Sequence, residues 1–326
     1  MMPIMHTDSE ITLKNKVDHF LARLGYRRGE HRVEPGLYAL GNPGKESPVF
    51  VTANYTLSFD ALRSALKGID GYLLVLDTFG INVWCAAGKG TFGTEELVHR
   101  IEAVGLEDVV SHRKIILPQL GAPGVRAPEV AKRTGFRVEY GPIKATDLPA
   151  YLNTGKVTQE MRRVRFPAMD RIVLIPVELV AILLPLAVLT VVAFIGLGWL
   201  SALAVLISAL AGTVLFPVLL PYLPTKDYST KGLLLGILAA LPFAAYQMMT
   251  LPSGEWQTYA SVLMFLLVMP PTTAYLALNF TGSTPYPSRT GVRKEIFTYI
   301  PVMAVMFVPG ILLAIVLAAL NLLEMI

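Results

Sequence analysis

Tyr72-Leu73-Leu74-Val75-Leu76, a short loop, then Asn82-Val83-Trp84-Cys85-Ala86-Ala87-Gly88-Lys89 and Gly90-Thr91-Phe92-Gly93-Thr94-Glu95-Glu96-Leu97 form the stretch on which the fold turns. The first five residues are the clearest strand of their domain. Thr94 reads as the cap of a helix with Glu95 and Glu96 in its first turn and Leu97, Ile101 and Val104 as its apolar stripe. Between strand and helix lies the only cysteine of the chain, Cys85, among the small residues Ala86, Ala87, Gly88 and Gly90. Small neighbours let backbone approach a large flat ligand. One thiol supplies one soft anionic ligand atom, enough for a metal that arrives already chelated. Zinc and iron–sulfur sites draw typically three or four ligands from protein.

Working outward, short apolar runs alternate with amphipathic helices. Val49-Phe50-Val51-Thr52-Ala53 reads as a buried strand, followed by a helix that Ser58 caps, with Leu62, Ala65 and Leu66 inward and Gly68 at its end. Lys114-Ile115-Ile116-Leu117 is a strand, Ala127 to Thr134 a short helix, and Phe136-Arg137-Val138-Glu139-Tyr140 a strand again. Upstream, Leu13, Val17, Phe20, Leu21 and Leu24 recur at helical spacing before a stop at Gly25. Strand–helix alternation implies a parallel, Rossmann-like α/β sheet. The loops after Ala53, Leu76, Leu117 and Tyr140 would then open on one edge and form the ligand crevice.

Charge divides the chain. Charged residues crowd into the first 171 positions, and beyond Arg171 five apolar stretches follow: 172–195, 199–220, 232–251, 258–278 and 299–322. Each is near the ~20 residues of a membrane-spanning helix. We expect an α/β domain over residues 1–150, a basic juxtamembrane linker over 151–171 carrying Arg162, Arg163, Arg165 and Arg171 toward anionic lipid, and an all-α domain of five transmembrane helices over 172–326. The loop Gly196-Leu197-Gly198 is uncharged, Lys226, Asp227 and Lys231 are net positive, Ser253-Gly254-Glu255 is negative, and Arg289, Arg293, Lys294 and Glu295 are net positive. The positive-inside rule then puts the α/β domain in the cytoplasm and the C-terminus outside the cytoplasmic membrane. A single cysteine fits a reducing compartment, and the N-terminus has no apolar signal region. The basic residues form no nucleic-acid patch.

Asn82 to Lys89 resembles the cap-helix motif of the mercury-methylating corrinoid proteins, which are membrane-bound. The likeness runs on through Leu97 and, more loosely, through Leu117-Pro118-Gln119-Leu120-Gly121-Ala122-Pro123-Gly124-Val125 and Tyr140-Gly141-Pro142-Ile143. Soluble corrinoid proteins of the acetyl-CoA pathway, the corrinoid iron–sulfur large subunit among them, share much of this pattern. The resemblance implies a cobalamin-type corrinoid with Cys85 as lower axial ligand to cobalt. A thiolate in that position favours release of the methyl group as a carbanion equivalent to Hg(II), forming methylmercury. It also implies a methyltetrahydrofolate-linked methyl donor and a ferredoxin-like reductant with two 4Fe–4S clusters, which a chain with one cysteine cannot hold itself. By crevice position and family likeness the further cofactor contacts are Thr52, Ala53 and Asn54, Thr78 and Gly80, Asn82, Val83, Trp84, Ala86, Ala87, Gly88, Lys89, Gly90, Thr91 and Phe92, and Gln119, Leu120, Gly121, Gly124 and Val125.

Plainer readings stand beside these. A free cysteine often packs as a small hydrophobe. Gly88-x-Gly90-x-x-Gly93 matches a dinucleotide fingerprint in form, but about ten residues separate it from the strand that a true fingerprint follows at once. Lys89 is followed by Gly90 where a P-loop needs Ser or Thr. The Asp-x-His-x-x-Gly ligand motif of other corrinoid proteins is absent, and all five histidines precede residue 113. Glu178 inside the first apolar stretch calls for a partner or the interface. The competing functions are a corrinoid methyl carrier of acetyl-CoA pathway C1 metabolism without a mercury role, and a membrane transporter with a sensing domain.

Overall fold

The first element is a short strand, β1 (Met5–Thr7), followed by α1 (Leu13–Leu24), β2 (Gly36–Leu40), β3 (Val49–Ala53), α2 (Thr56–Ala65) and β4 (Gly71–Leu76). Then come α3 (Val83–Lys89), α4 (Thr94–Ala103), α5 (Leu106–Val109), β5 (Lys114–Leu117), a 3-10 turn at Gln119–Gly121, α6 (Ala127–Thr134), β6 (Arg137–Tyr140) and α7 (Leu148–Thr154). This computed structural model describes residues 2–27, 29–252, 254–284 and 289–323; Ser253, named above in a loop, lies outside them, as does the side chain of Arg289. The chain divides into two units, Met1–Arg165 and Phe166–Ile326.

In the first unit the strands lie in the order β1-β2-β4-β3-β5-β6. β4, β3, β5 and β6 run parallel, so the loops after Ala53, Leu76, Leu117 and Tyr140 do share one edge. The sheet is not wholly parallel, however. β2 pairs antiparallel with β4, Leu37 opposite Leu74 and Ala39 opposite Tyr72, and β1 extends the sheet beside it. A strand on that side reached without a helical crossover can run the other way, and the chain between β2 and β3 has no such helix.

Both faces of the sheet are covered, so the inner strands are buried at every position. Along β3, Val49, Val51 and Ala53 join a core with Ala86, Ala87, Phe92, Leu97 and Val130 on one face. Phe50, between them, points into a second core with Phe59, Leu62, Leu66, Leu148 and Tyr151 on the other. Leu148 and Tyr151 come from α7, so part of the stretch read as connecting chain is a helix buried against the sheet. Helix ends also shift. α2 starts at Thr56 after an uncapped Tyr55 and ends at Ala65 before Leu66, so Ser58 is inside the helix and Gly68 beyond it. Gly93, not Thr94, is the cap of α4. The Thr94 hydroxyl instead accepts from the Arg126 N–H at 2.9 Å, tying α4 to the start of α6.

Among the described residues of the second unit, five helices are long and apolar enough to cross a membrane: Ala168–Leu197, Trp199–Leu219, Tyr228–Thr250, Trp256–Ser283 and Thr290–Leu322. They fit a multi-pass membrane protein. Glu178 in the first accepts a hydrogen bond from Ser283 Oγ at 2.6 Å, the interhelical partner its position calls for.

Candidate functional site

The connection β3–α2–β4 leads to one side of β3 and the return to β5 leads to the other. Above the C-terminal ends of β3 and β5 the chain therefore parts, the place where open α/β sheets receive ligands. A crevice of about 330 Å³ lies there, walled by Thr52 of β3, Leu62 of α2, Leu117 and Pro118 after β5, Pro142 after β6, and Asn82, Val83 and Trp84 at the start of α3.

Asn82 starts α3. Its backbone is extended and its side-chain oxygen accepts from the Cys85 N–H at 2.9 Å, an Asx cap that fixes the first turn and with it the cysteine. Cys85 is half-buried and free. Its neighbours Ala86 and Ala87 turn inward into the core, so the cysteine belongs to the opposite, outer side of the helix. It does not wall the crevice itself; Trp84 and Val83 do. Gly88, three positions on, brings no side chain to the outer face, and Gly90 ends α3 at φ 88°, where open space surrounds the site of a Cβ. Backbone conformation thus requires Gly90.

The far end of this segment is clamped. Phe92 is fully buried and packs against two glycines of the loop after β5. A Cβ at Gly121 would stand 2.5 Å from Phe92 Cε1, and one at Gly124 would stand 2.1 Å from the Phe92 carbonyl oxygen and 3.1 Å from Ala87 Cα. Thr91 returns its hydroxyl to the Ala86 carbonyl. Tyr140 closes the arrangement by donating to the Val125 carbonyl at 2.9 Å, and burial holds its phenol above the ordinary range, so it stays a donor.

A second ring of polar contacts organises the loop after β4. Asn54, buried at the end of β3, accepts through Oδ1 from the Thr78 N–H (3.1 Å), the Thr78 hydroxyl (2.9 Å) and the Gly80 N–H (3.0 Å), and donates through Nδ2 to Asp77 (3.1 Å). Asp77 also accepts from the Phe79 N–H at 3.0 Å. The outcome is a fixed loop that presents Phe79 at φ 58° with 62% of its surface exposed. Left-handed backbone is costly for a bulky residue.

Of the residues singled out in the sequence, Thr52, Asn82, Val83, Trp84 and Leu120 wall the crevice. Ala53, Ala86, Ala87, Phe92 and Val125 lie in the core beneath it. Asn54, Thr78 and Gly80 form the fixed loop, and Gly121 and Gly124 pack on Phe92. Lys89 and Gly90 are exposed, and Gln119 accepts from Arg162 at 3.0 Å. Phe79 was not singled out, although Thr78 and Gly80 on either side were; a large aromatic in a loop at the crevice edge was the available signal. Among the described residues no group of His, Cys, Asp and Glu could hold a bare metal ion.

This segment is also where known proteins are similar. The family model for the CO dehydrogenase/acetyl-CoA synthase delta subunit matches residues 26–152. The acetyl-CoA decarbonylase/synthase complex subunit gamma of Methanopyrus kandleri is 37% identical over 127 residues, 38% of this chain and 27% of that protein. The corresponding subunit of Archaeoglobus fulgidus is 37% identical over 123 residues, 37% of this chain and 26% of its own length. The corrinoid/iron-sulfur protein large subunit of Moorella thermoacetica is 31% identical over 143 residues, 41% of this chain and 32% of that protein. The chain thus spans between about a quarter and a third of the length of these relatives. The likeness takes in the crevice, α3 and the Phe92 clamp, while α1 and the five apolar helices lie outside the matched family segment.

Proposed function

We propose that the first unit holds a corrinoid over α3 and passes its methyl group to Hg(II), with the apolar helices anchoring it in the cytoplasmic membrane and the first unit on the cytoplasmic side. The observation that carries this reading is the placement of Cys85: a lone thiol on the outer face of a capped helix, beside the crevice at the parting of the sheet. The donor set fits a metal that brings its own chelate, because among the described residues it offers one soft ligand atom and no cluster of others. When bound, the corrinoid supplies a cobalt centre that accepts and releases a methyl group.

The protein supplies position. Asn82 fixes the first turn of α3 and with it Cys85, the residue that would offer its sulfur to the metal of the cofactor. The clamp of Phe92 on Gly121 and Gly124 keeps that helix from rocking. The crevice has the volume of a small ligand pocket, enough for an arm of the macrocycle rather than the whole of it; Thr52, Asn82 and Trp84 would hold that arm. Phe79 offers an exposed ring on a rigid loop of the same edge. Reduction requires a separate protein, here a ferredoxin-like one with two 4Fe–4S clusters, because one cysteine cannot ligate a cluster. The methyl donor we propose is methyltetrahydrofolate-linked.

A second reading, methyl carriage for acetyl-CoA synthesis, is favoured by the names of the relatives. Against it stand the five apolar helices. The test uses the full chain in membranes, kept anaerobic and supplied with a corrinoid, a chemical reductant, a methyl donor and Hg(II). The expected result is methylmercury, lost in Cys85→Ala, together with an absorption spectrum that differs between the two proteins. Methyl delivery to an acetyl-CoA synthase with none to Hg(II) would establish the second reading, and failure to retain any corrinoid would end both.

A further inference from the structure

α1 is folded with its polar side inward. Asp18 accepts from the Thr56 hydroxyl at 2.6 Å and pairs with His31 Nδ1 at 2.8 Å. His19 Nε2 meets Asp60 at 2.7 Å, and the other oxygen of Asp60 takes Arg63 Nε at 2.6 Å. These contacts fix the rotation of the helix about its axis. The apolar stripe read from the sequence must then face away from the sheet. Leu13, Val17 and Phe20, at i, i+4 and i+7, are 77%, 50% and 61% exposed, and Leu24 and Leu21 continue the same face half-buried. Ala22 is the one residue of α1 that is fully buried.

Charge borders this stripe on both sides. By helical position Lys16 and Arg23 lie along one flank and Lys14 along the other, all exposed, while the helix's only acid, Asp18, is turned inward. The helix is well defined at both ends, by a capping box at Thr12 and Asn15 and by Gly25 in the left-handed conformation. An exposed apolar stripe on a fixed helix marks an interaction surface. Apolar side chains with Lys16 and Arg23 on one flank and Lys14 on the other match a helix lying in a bilayer interface. The stripe enters the acyl boundary and the basic side chains reach back to lipid phosphates. A protein partner would need an apolar groove with acids on both rims; an anionic bilayer offers both everywhere, and the five apolar helices of this chain bring a bilayer to it.

The geometry points to α1 as an interfacial helix that binds the anionic surface of the membrane through Leu13, Val17 and Phe20, with Lys14, Lys16 and Arg23 on the headgroups. The inference is independent of the corrinoid reading and of the methyl acceptor. It would make the first unit a membrane-surface domain in its own right rather than one held only by its connection.

The test uses the full chain with Cys85→Ala, so that a single introduced cysteine carries an environment-sensitive fluorophore. The label is placed by Phe20→Cys, or by Glu102→Cys on the exposed face of α4 as control. The proteins are reconstituted into phosphatidylcholine vesicles with and without phosphatidylglycerol, and quenching by a doxyl-labelled lipid is read. Expected are strong quenching at position 20 in the anionic vesicles, weak quenching at position 102, and a fall of about fivefold for each basic residue removed in Lys14→Gln, Lys16→Gln and Arg23→Gln variants. A label at position 20 as open to water as the one at 102 would overturn the proposal. So would a label shielded from water yet untouched by the lipid quencher, because protein would then be what covers the stripe.

Discussion

Phe92 occupies the space that any side chain at Gly121 would need: a Cβ there would come within 2.5 Å of its ring. The ring cannot swing aside, because it is fully buried in the core under α3. At Gly124 the obstacle is backbone, the Phe92 carbonyl oxygen at 2.1 Å. The two glycines and one phenylalanine are thus a single device, and it lies directly behind the segment that carries Cys85.

Substitution should rank accordingly. Gly121→Ala presses a methyl group against a ring held by the core and should cost about 1–3 kcal/mol, the usual range for overpacking. Gly124→Ala meets main chain that cannot move without α3 and should cost more. Phe92→Ala empties the clamp and should cost about 3–5 kcal/mol. Thermal unfolding of the purified full chain measures the order. If Gly124→Ala melts with the parent, the clamp is not rigid.

Asn54 and Phe79 give a prediction of opposite signs at one loop. Asn54→Ala leaves the buried Thr78 amide without its acceptor, while the Thr78 hydroxyl keeps the Ile81 carbonyl, and such a loss costs about 1–3 kcal/mol. Phe79→Gly relieves a left-handed residue and should stabilise by about 1 kcal/mol. If the exposed ring serves the cofactor, that same stabilised variant should retain less corrinoid. Equal retention at higher stability would leave Phe79 without a role at the site.

Much of this was legible in the sequence, and what was hidden had particular causes. β3, β4 and β5 announced themselves as apolar runs because both faces of the sheet are covered. β2, Gly36-Leu37-Tyr38-Ala39-Leu40, is as buried as β3 but carries no β-branched residue and follows Pro35, so nothing in its composition separated it from a turn. The period of α1 was plain, yet its direction was not. A stripe of Leu, Val and Phe reads as core until the partners of Asp18 and His19, supplied by residues 31, 56 and 60, are known. At the site, the glycines after β5 were visible as glycines, but only the fold reveals that Phe92 is what they make room for.

The Asp18–His31 pair should make the seating of α1 depend on pH. Burial disfavours the charged form of His31, but the hydrogen bonds it donates to Asp18 and to the Tyr26 carbonyl and the charges of Asp18 and Glu30 outweigh it and raise its pKa. Burial likewise works against ionised Asp18, while hydrogen bonds from Thr56 and His31 outweigh it and hold its pKa low. A raised histidine pKa stabilises fully below its unfolded value of about 6.5 and the contribution is lost as pH climbs through the folded value. A lowered aspartate pKa stabilises above about 3.9 and the contribution is lost as pH falls through the folded value. Seating should therefore be firmest between about pH 4 and 6.5 and loosen toward alkaline pH. Hydrogen exchange of the α1 amides across that range is the measurement. His31→Asn should flatten the alkaline limb, and an unchanged slope would remove the pair as its origin.

In the second unit the decisive contacts are between main chains. A Cβ at Gly232 would stand 2.6 Å from Ala274 Cα, and one at Gly236 would stand 2.5 Å from Pro270 Cα. Helices Tyr228–Thr250 and Trp256–Ser283 therefore touch backbone to backbone along a small-xxx-small face. Lipid offers helices no hydrophobic reason to associate, so close packing of this kind is what holds them together. Gly232→Val and Gly236→Val must push the helices apart and should lower the melting temperature in detergent sharply, whereas Gly282→Ala, where a Cβ meets open space, should stay within about 0.5 kcal/mol of the parent. The cores of the first unit draw on none of these residues. Under the proposed reading a Cys85-dependent cofactor spectrum should thus survive in the valine variants that still assemble, and its loss alongside the helix packing would mean that the two units fold as one.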